Sequence, residues 1–167
     1  ERRQDIKKFH ICWFIIDNIS NTKILKNNID ILEKYFYVHI FGYSKNEKDF
    51  QKLNISNYKI GNLNYWESSQ KCLQMANKYF LKLNIKPDLI INMNGNFNFN
   101  FYLENEVFYC IKENKYFFNI IKKKINIIDD RFIMGPFNKM TRVLEYYKDK
   151  EKDNIKKIEE KYKKFMD

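Results

Sequence analysis

Glycine and proline are scarce here, four and two in 167 residues, which leaves little room for flexible linkers. Cysteine is scarce as well. Cys12, Cys72 and Cys110 are scattered, odd in number and in no paired motif, which argues against a disulfide framework or a thiolate zinc site. Their apolar surroundings predict buried free thiols in a reducing compartment. No apolar run approaches ~20 residues, so no membrane span is expected. The chain also lacks a signal-peptide pattern at its start, and a cytoplasmic location is the expectation. Glu1 stands where an initiating Met would, as expected of an excised or partial chain. The sequence contains no Gly-rich phosphate loop, no G-x-S-x-G and no H-E-x-x-H. Two common nucleotide-binding versions of an α/β fold are thereby excluded.

Apolar residues make up 44% and aromatics 17% of the chain, the composition of a folded protein. The length suits one domain, 1–167, with a core of its own. Asn, Lys, Ile, Phe and Tyr dominate, residues that A- and T-rich codons encode. Against 31 Lys and Arg stand 21 Asp and Glu, a net charge of +10. Such a balance can serve nucleic acid, an anionic membrane surface or a phosphate-bearing ligand. The lysines are spread along the chain beside glutamates and aspartates, however, so solvated faces and codon bias account for it.

Phe9–Ile16 is a continuous apolar run ending at Asp17-Asn18, the pattern of a buried strand. Asn21-Thr22 can cap the helix that follows, with apolar positions at Ile24, Leu25, Ile29, Leu32 and Tyr35. Tyr37–Phe41 is a second strand closed by Gly42; Ser44–Leu53 is polar and reads as a short helix; Tyr58–Ile60 is a weak third strand. The helix from Tyr65 carries Trp66, Ser69, Leu73, Ala76, Phe80 and Leu83 in one stripe. His10 and His39 lie in strand-like runs and read as core or edge histidines with a hydrogen-bond partner. The β-α-β-α-β-α-β order predicts an α/β fold with a mainly parallel sheet and helices on both faces. Further on, Val107–Ile111 reads as a strand and Tyr116–Ile121 as another element. Lys122–Lys124 is a small basic run. Asp129-Asp130 reads as a turn before a short strand, with Pro136 in the first turn of a helix. Residues 149–167 read as a charged terminal helix.

The chain is organised around Lys86–Phe99. Leu89-Ile90-Ile91 is an apolar run bounded by Pro87 and Gly95, a strand covered on both faces. It runs out into Asn92, Asn94, Asn96 and Asn98, which alternation places on one side of an extended chain, with Gly95 allowing close backbone approach. Ligands of open α/β sheets sit beyond the carboxyl ends of the strands, so a site is expected here.

Tyr65–Cys72 through Pro87–Asn96, together with Asp129-Asp130-Arg131-Phe132-Ile133-Met134-Gly135-Pro136, resemble a GT-A-type glycosyltransferase-like family. That family occurs in bacterial lipopolysaccharide synthesis clusters and in large DNA viruses. In it a Tyr- and Ser-containing helix precedes a strand reading D-h-h-h-R-h-R-P-D, where h is apolar, and an N/D-D-x-F-x-h-G segment follows. The resemblance covers most of residues 9 to 148 and is specific in those two segments. It implies a Rossmann-like, GT-A-like sheet and transfer of a sugar from a nucleotide sugar to a surface-glycan acceptor. It also implies a divalent cation, Mn or Mg, held against the donor diphosphate. The residues it points to are Asp129 and Asp130 for catalysis, with Asp130 or Asn96 as metal candidates. For donor or substrate binding it points to Asp17, Trp66, Ser69, Asn92, Asn94, Asn96 and Arg131. Where the family has R-x-R-P-D, this chain has Asn92-Met93-Asn94-Gly95-Asn96. Asparagine supplies hydrogen bonds but neither the bidentate cations nor the carboxylate, so a degenerate member with weakened or absent activity is expected. Another class remains open: a basic structural or RNA-associated protein, with RNA or a protein assembly as partner. A domain that binds a glycan without chemistry is a third reading.

Overall fold

A computed structural model describes residues 7–122 and 127–147, with side chains at 7–118 and 130–146. The side chain of Asp129, most of the Lys122–Lys124 run and the charged segment 149–167 lie outside the described residues. Within them the chain forms β1 (His10–Ile16), α1 (Thr22–Glu33), β2 (Tyr37–Ser44), α2 (Lys48–Lys52), β3 (Asn57–Ile60) and α3 (Tyr65–Leu83). There follow β4 (Leu89–Asn94), α4 (Leu103–Glu113), β5 (Phe117–Lys122), β6 (Ile127–Pro136) and α5 (Phe137–Tyr147). The strands make one six-stranded sheet in the order β3-β2-β1-β4-β6-β5. No helix among the described residues is long and apolar enough to cross a membrane.

The apolar runs become the interior strands because both their faces are covered. Alternation in β1 sends Cys12, Phe14 and Ile16 to one core, shared with Trp66, Leu73, Ala76 and Phe80 of α3 and with Met140, Val143 and Leu144 of α5. Ile11, Trp13 and Ile15 enter the opposite core, with Leu25, Ile29 and Leu32 of α1 and Leu103, Val107 and Cys110 of α4. Asn21 caps α1, its side chain accepting from the Ile24 N–H. Asn84 ends α3 in the left-handed conformation, a role asparagine tolerates better than most residues. The three cysteines are buried and free.

Several expectations need correction. The sheet is mixed, because β6 runs antiparallel to both β4 and β5. Residues 123–126 alone separate β5 from β6, and a parallel crossover needs a dozen or more. Val107–Ile111 belongs to α4 and is not a strand. A five-residue apolar run does not distinguish the two. What decides is that Leu103, Val107 and Cys110 face inward, while Phe108 and Tyr109 remain exposed. Asp129-Asp130 lies within β6, not in a turn. Pro136 ends β6, and α5 starts one residue later.

The two histidines are partners of each other. His10 Nδ1 lies 3.0 Å from His39 Nε2, and His39 Nδ1 lies 3.0 Å from the Tyr79 hydroxyl. Tyr37 stacks on His10, and Phe80 meets the His39 ring edge-on. Burial, with the neighbouring His10 adding to it, pushes His39 down to about 4. An unfolded chain holds a histidine near ~6.5. As pH falls from there towards 4 the unfolded state therefore gains a proton that the folded state refuses. Stability from this group is complete above ~6.5 and is lost progressively towards 4. His39 is part-exposed, so the loss is discounted to about 1 kcal/mol. Urea midpoints at pH 7.5 and 4.5 should fall further apart for wild type than for His39→Gln. Equal separations would contradict this account.

Candidate functional site

The strand order fixes where a ligand has room. From β1 the chain moves outward through β2 to β3, then returns through α3 to β4 on the other side of β1. The connections after β1 and β4 therefore lead towards opposite edges of the sheet, although α1 and α4 pack over the same face. Such switch points are where open α/β sheets bind ligands.

At this end of the sheet the turns after β1 and β4 approach each other closely. Gly95 N–H donates to the Ile16 carbonyl at 2.6 Å, and Ser20 N–H donates to the Gly95 carbonyl at 3.1 Å. A β-carbon on Gly95 would stand 2.5 Å from the Asn18 carbonyl oxygen and 2.9 Å from that of Asp17. Backbone atoms yield little, so any larger residue would force the two turns apart. Asp17 sits opposite with φ 68°, a left-handed conformation that is uncommon for a residue with a side chain and that clusters at functional sites. Its N–H donates to the Tyr43 carbonyl at 2.8 Å, which holds the strained residue in place.

Asn94 Nδ2 donates to Asp17 Oδ2 at 3.2 Å, while Asn94 Oδ1 accepts from the Asn96 N–H at 3.0 Å. Burial raises the Asp17 carboxyl, against the smaller lowering effects of the Asn94 amide and the Lys45 charge. The side chain is thus held by an amide where a second carboxylate would create a strong cation site. Asn18 joins the rim by accepting from the Ser44 hydroxyl at 3.1 Å.

The asparagine ladder is split by the fold. Asn92 and Asn94 share a face of β4, but the strand ends at Asn94. Asn96 lies in the turn that follows, closed by the Phe97 N–H donating to the Asn94 carbonyl at 3.0 Å, and Asn98 in the loop beyond it; both are exposed. Asn92 is 0% exposed. Its amide donates to the Tyr65 hydroxyl at 3.1 Å, beneath the first turn of α3, and Oδ1 has no hydrogen-bond partner among the described residues. Two other expected site residues are also internal. Trp66 is 3% exposed within the core, and the Ser69 hydroxyl donates to the Tyr65 carbonyl of its own helix at 2.9 Å.

On the far side of β4, Met93 pairs with Phe132 in antiparallel register. By that register Arg131 stands level with Asn94, the last residue of β4, Asp130 comes one residue beyond, and Asp129 follows opposite Asn119. Arg131 is exposed, with its guanidinium 5.9 Å from the centre of the Phe97 ring; Asp130 is part-buried. The fold thus brings Asp17, Asn94 and Asn96 together and puts the backbone of Asp129–Arg131 at the same end of the sheet. It sets Asn92, Trp66 and Ser69 inside. Tyr65 and Lys45 were missed: the phenol hides in a helix start, and the lysine acts on Asp17 from the chain after β2. No group of three or more His, Cys, Asp or Glu side chains suited to a metal occurs among the described residues. Comparison with family models, with curated proteins and with solved structures gave no match.

Proposed function

We propose that this domain binds a nucleotide-linked sugar at the switch point between β1 and β4, as a GT-A-type, Rossmann-like glycosyltransferase-like domain whose transfer to a surface-glycan acceptor is weakened or lost. The observation that carries the reading is the meeting of left-handed Asp17 with Asn94 and Gly95 at the switch point. Strained backbone, a part-buried carboxylate and a glycine admitting close approach coincide where an α/β sheet receives its ligand. Asn94 and Asn96 would hydrogen-bond the donor, and Arg131 would face its phosphates. Asp130, or Asp129 beside it, would accept the proton of an acceptor hydroxyl.

A hydrated Mg or Mn needs one or two carboxylates and completes its shell with water and phosphate oxygens. Asp17 suits such a cation as a single carboxylate, with the amide oxygen of Asn96 or the carboxylate of Asp130 as further candidates. The cation would neutralise charge on the diphosphate. Each forgone charge-assisted bond from an absent arginine costs on the order of 1.5–3 kcal/mol, so losing two weakens the donor by ~100-fold or more. Calorimetry against a panel of nucleoside diphosphate sugars with Mn or Mg tests the proposal. Weak binding of at least one member, lost in Asp17→Ala, is expected. No binding to any member by folded protein would overturn it.

A further inference from the structure

The sheet carries an incomplete edge. β3 stands level only with Phe41–Ser44 of β2, so Tyr37–Ile40 has no neighbouring strand on that side among the described residues. The backbone phase of β2 is fixed at both ends. Tyr37 N–H donates to Phe9, and the Tyr43 carbonyl accepts from Asp17, both on the β1 side; the Ser44 carbonyl accepts from Gly61 on the β3 side. Alternation then turns the N–H and C=O of Val38 outward, beyond the start of β3. No described residue bonds to them there. Natural sheets cover or blunt such edges.

What flanks the edge indicates what fits it. A groove of about 360 Å³ runs along Val38–Ile40 between Ile29 of α1 and Tyr79 of α3. A second, of about 450 Å³, continues from it through Asn57 and Tyr79, and Lys59, Lys78 and Lys82 line it with no acidic residue. Lys78 and Lys82 are four apart on one helix, a like-charge spacing that weakens the helix. None of the three lysines has an ion pair among the described residues. At the first groove, by contrast, Lys26 is already bridged to Asp30 at 2.6 Å. The two faces of the edge differ accordingly: Val38, Ile40 and Tyr58 pack towards the α1 core, while Lys59, one residue on from Tyr58, points to the α3 side.

We propose that the open edge of β2 is a docking site for an extended peptide of alternating apolar and acidic residues, added as a strand beside Val38 with its carboxylates on Lys59, Lys78 and Lys82. Main-chain bonds to the edge supply the common part of the affinity, and the alternation supplies the selectivity. The lysine rim alone would suit any polyanion; the free strand edge selects a peptide over a nucleic acid.

A fluorescein-labelled Val-Glu-Val-Glu-Val-Glu peptide, titrated into the full chain, tests this. Binding is expected, with slowed exchange of the Val38 amide hydrogen. Charge reversal at Lys59, Lys78 and Lys82, all exposed, should weaken it by at least ~10-fold, at 1.4 kcal/mol per tenfold. The same peptide N-methylated at alternate residues, unable to complete a ladder, should not bind. Equal binding of the methylated peptide, protection elsewhere than Val38, or no binding would overturn the proposal. So would tighter, steeply salt-dependent binding of single-stranded RNA at the same lysines, or pairing of two copies of this chain through the edge in place of peptide uptake.

Discussion

Asn92→Arg should destabilise the fold by about 3–5 kcal/mol, the scale of an uncompensated buried charge. The side chain is 0% exposed and is closed over by Tyr65 at the start of α3. An arginine there meets the Tyr65 phenol, with no carboxylate bonded at that position among the described residues. Set against the ~5–15 kcal/mol of a typical domain, the loss would show as a large fall in the urea midpoint or as insoluble protein. Asn94→Arg is the informative contrast. That position is part-exposed at the strand end, so stability should change little and affinity for a nucleoside diphosphate should rise by ~10-fold or more through a charge-assisted bond. Of these two asparagine positions only the outer one is part-exposed at the strand end; the inner one is core. A stable Asn92→Arg variant with raised nucleotide affinity would show instead that the first turn of α3 moves aside.

The second large effect concerns the cation. In Asn94→Asp the amide that now donates to Asp17 at 3.2 Å becomes a second carboxylate facing the first. Two unit charges about 4 Å apart repel by ~4 kcal/mol at an effective dielectric of 20. One of the pair should therefore hold its proton to a higher pH than a carboxyl in the unfolded chain. Stability from that group is present at low pH and lost as pH rises through the raised value. A divalent cation reverses the penalty, so Mn should bind the variant at least ~10-fold more tightly than wild type and restore its stability at neutral pH. Calorimetry with Mn and urea titrations at pH 5 and 8 measure both halves. A variant with unchanged Mn affinity would mean that Asp17 and residue 94 do not converge on a common ligand position.

The interior of the fold was legible because buried parallel strands read as unbroken apolar runs. Ile11–Ile16 and Leu89–Ile91 are interior strands, whereas Tyr37–Ile40 opens β2 as a part-exposed stretch beyond the start of β3; Trp66, Leu73, Ala76 and Phe80 pack from one helix, as their spacing predicts. The second half read less well. Val107–Ile111 is short enough to suit either period, and the direction of β6 is set by the length of its connection, not by anything within the strand. At the site, Gly95 and Asn94 could be placed from the rule about strand ends together with the need for a residue lacking a side chain. Period-two alternation correctly grouped Asn92 with Asn94 on one face. It could not reveal that Tyr65 covers that face at position 92, nor that the strand stops before Asn96. Trp66 and Ser69 fall on the buried side of α3, a matter of helix rotation that a shared motif does not specify.

The most direct test is an amide chemical-shift titration of the full chain with nucleoside diphosphate sugars in the presence of Mg. The account predicts concentration-dependent shifts at Asp17, Asn18, Asn94, Gly95 and Asn96, spreading to Arg131, and none at Val38–Ile40. Shifts confined to the β2 edge or to the α3 lysines, or no shifts with any donor at millimolar concentration, would contradict it.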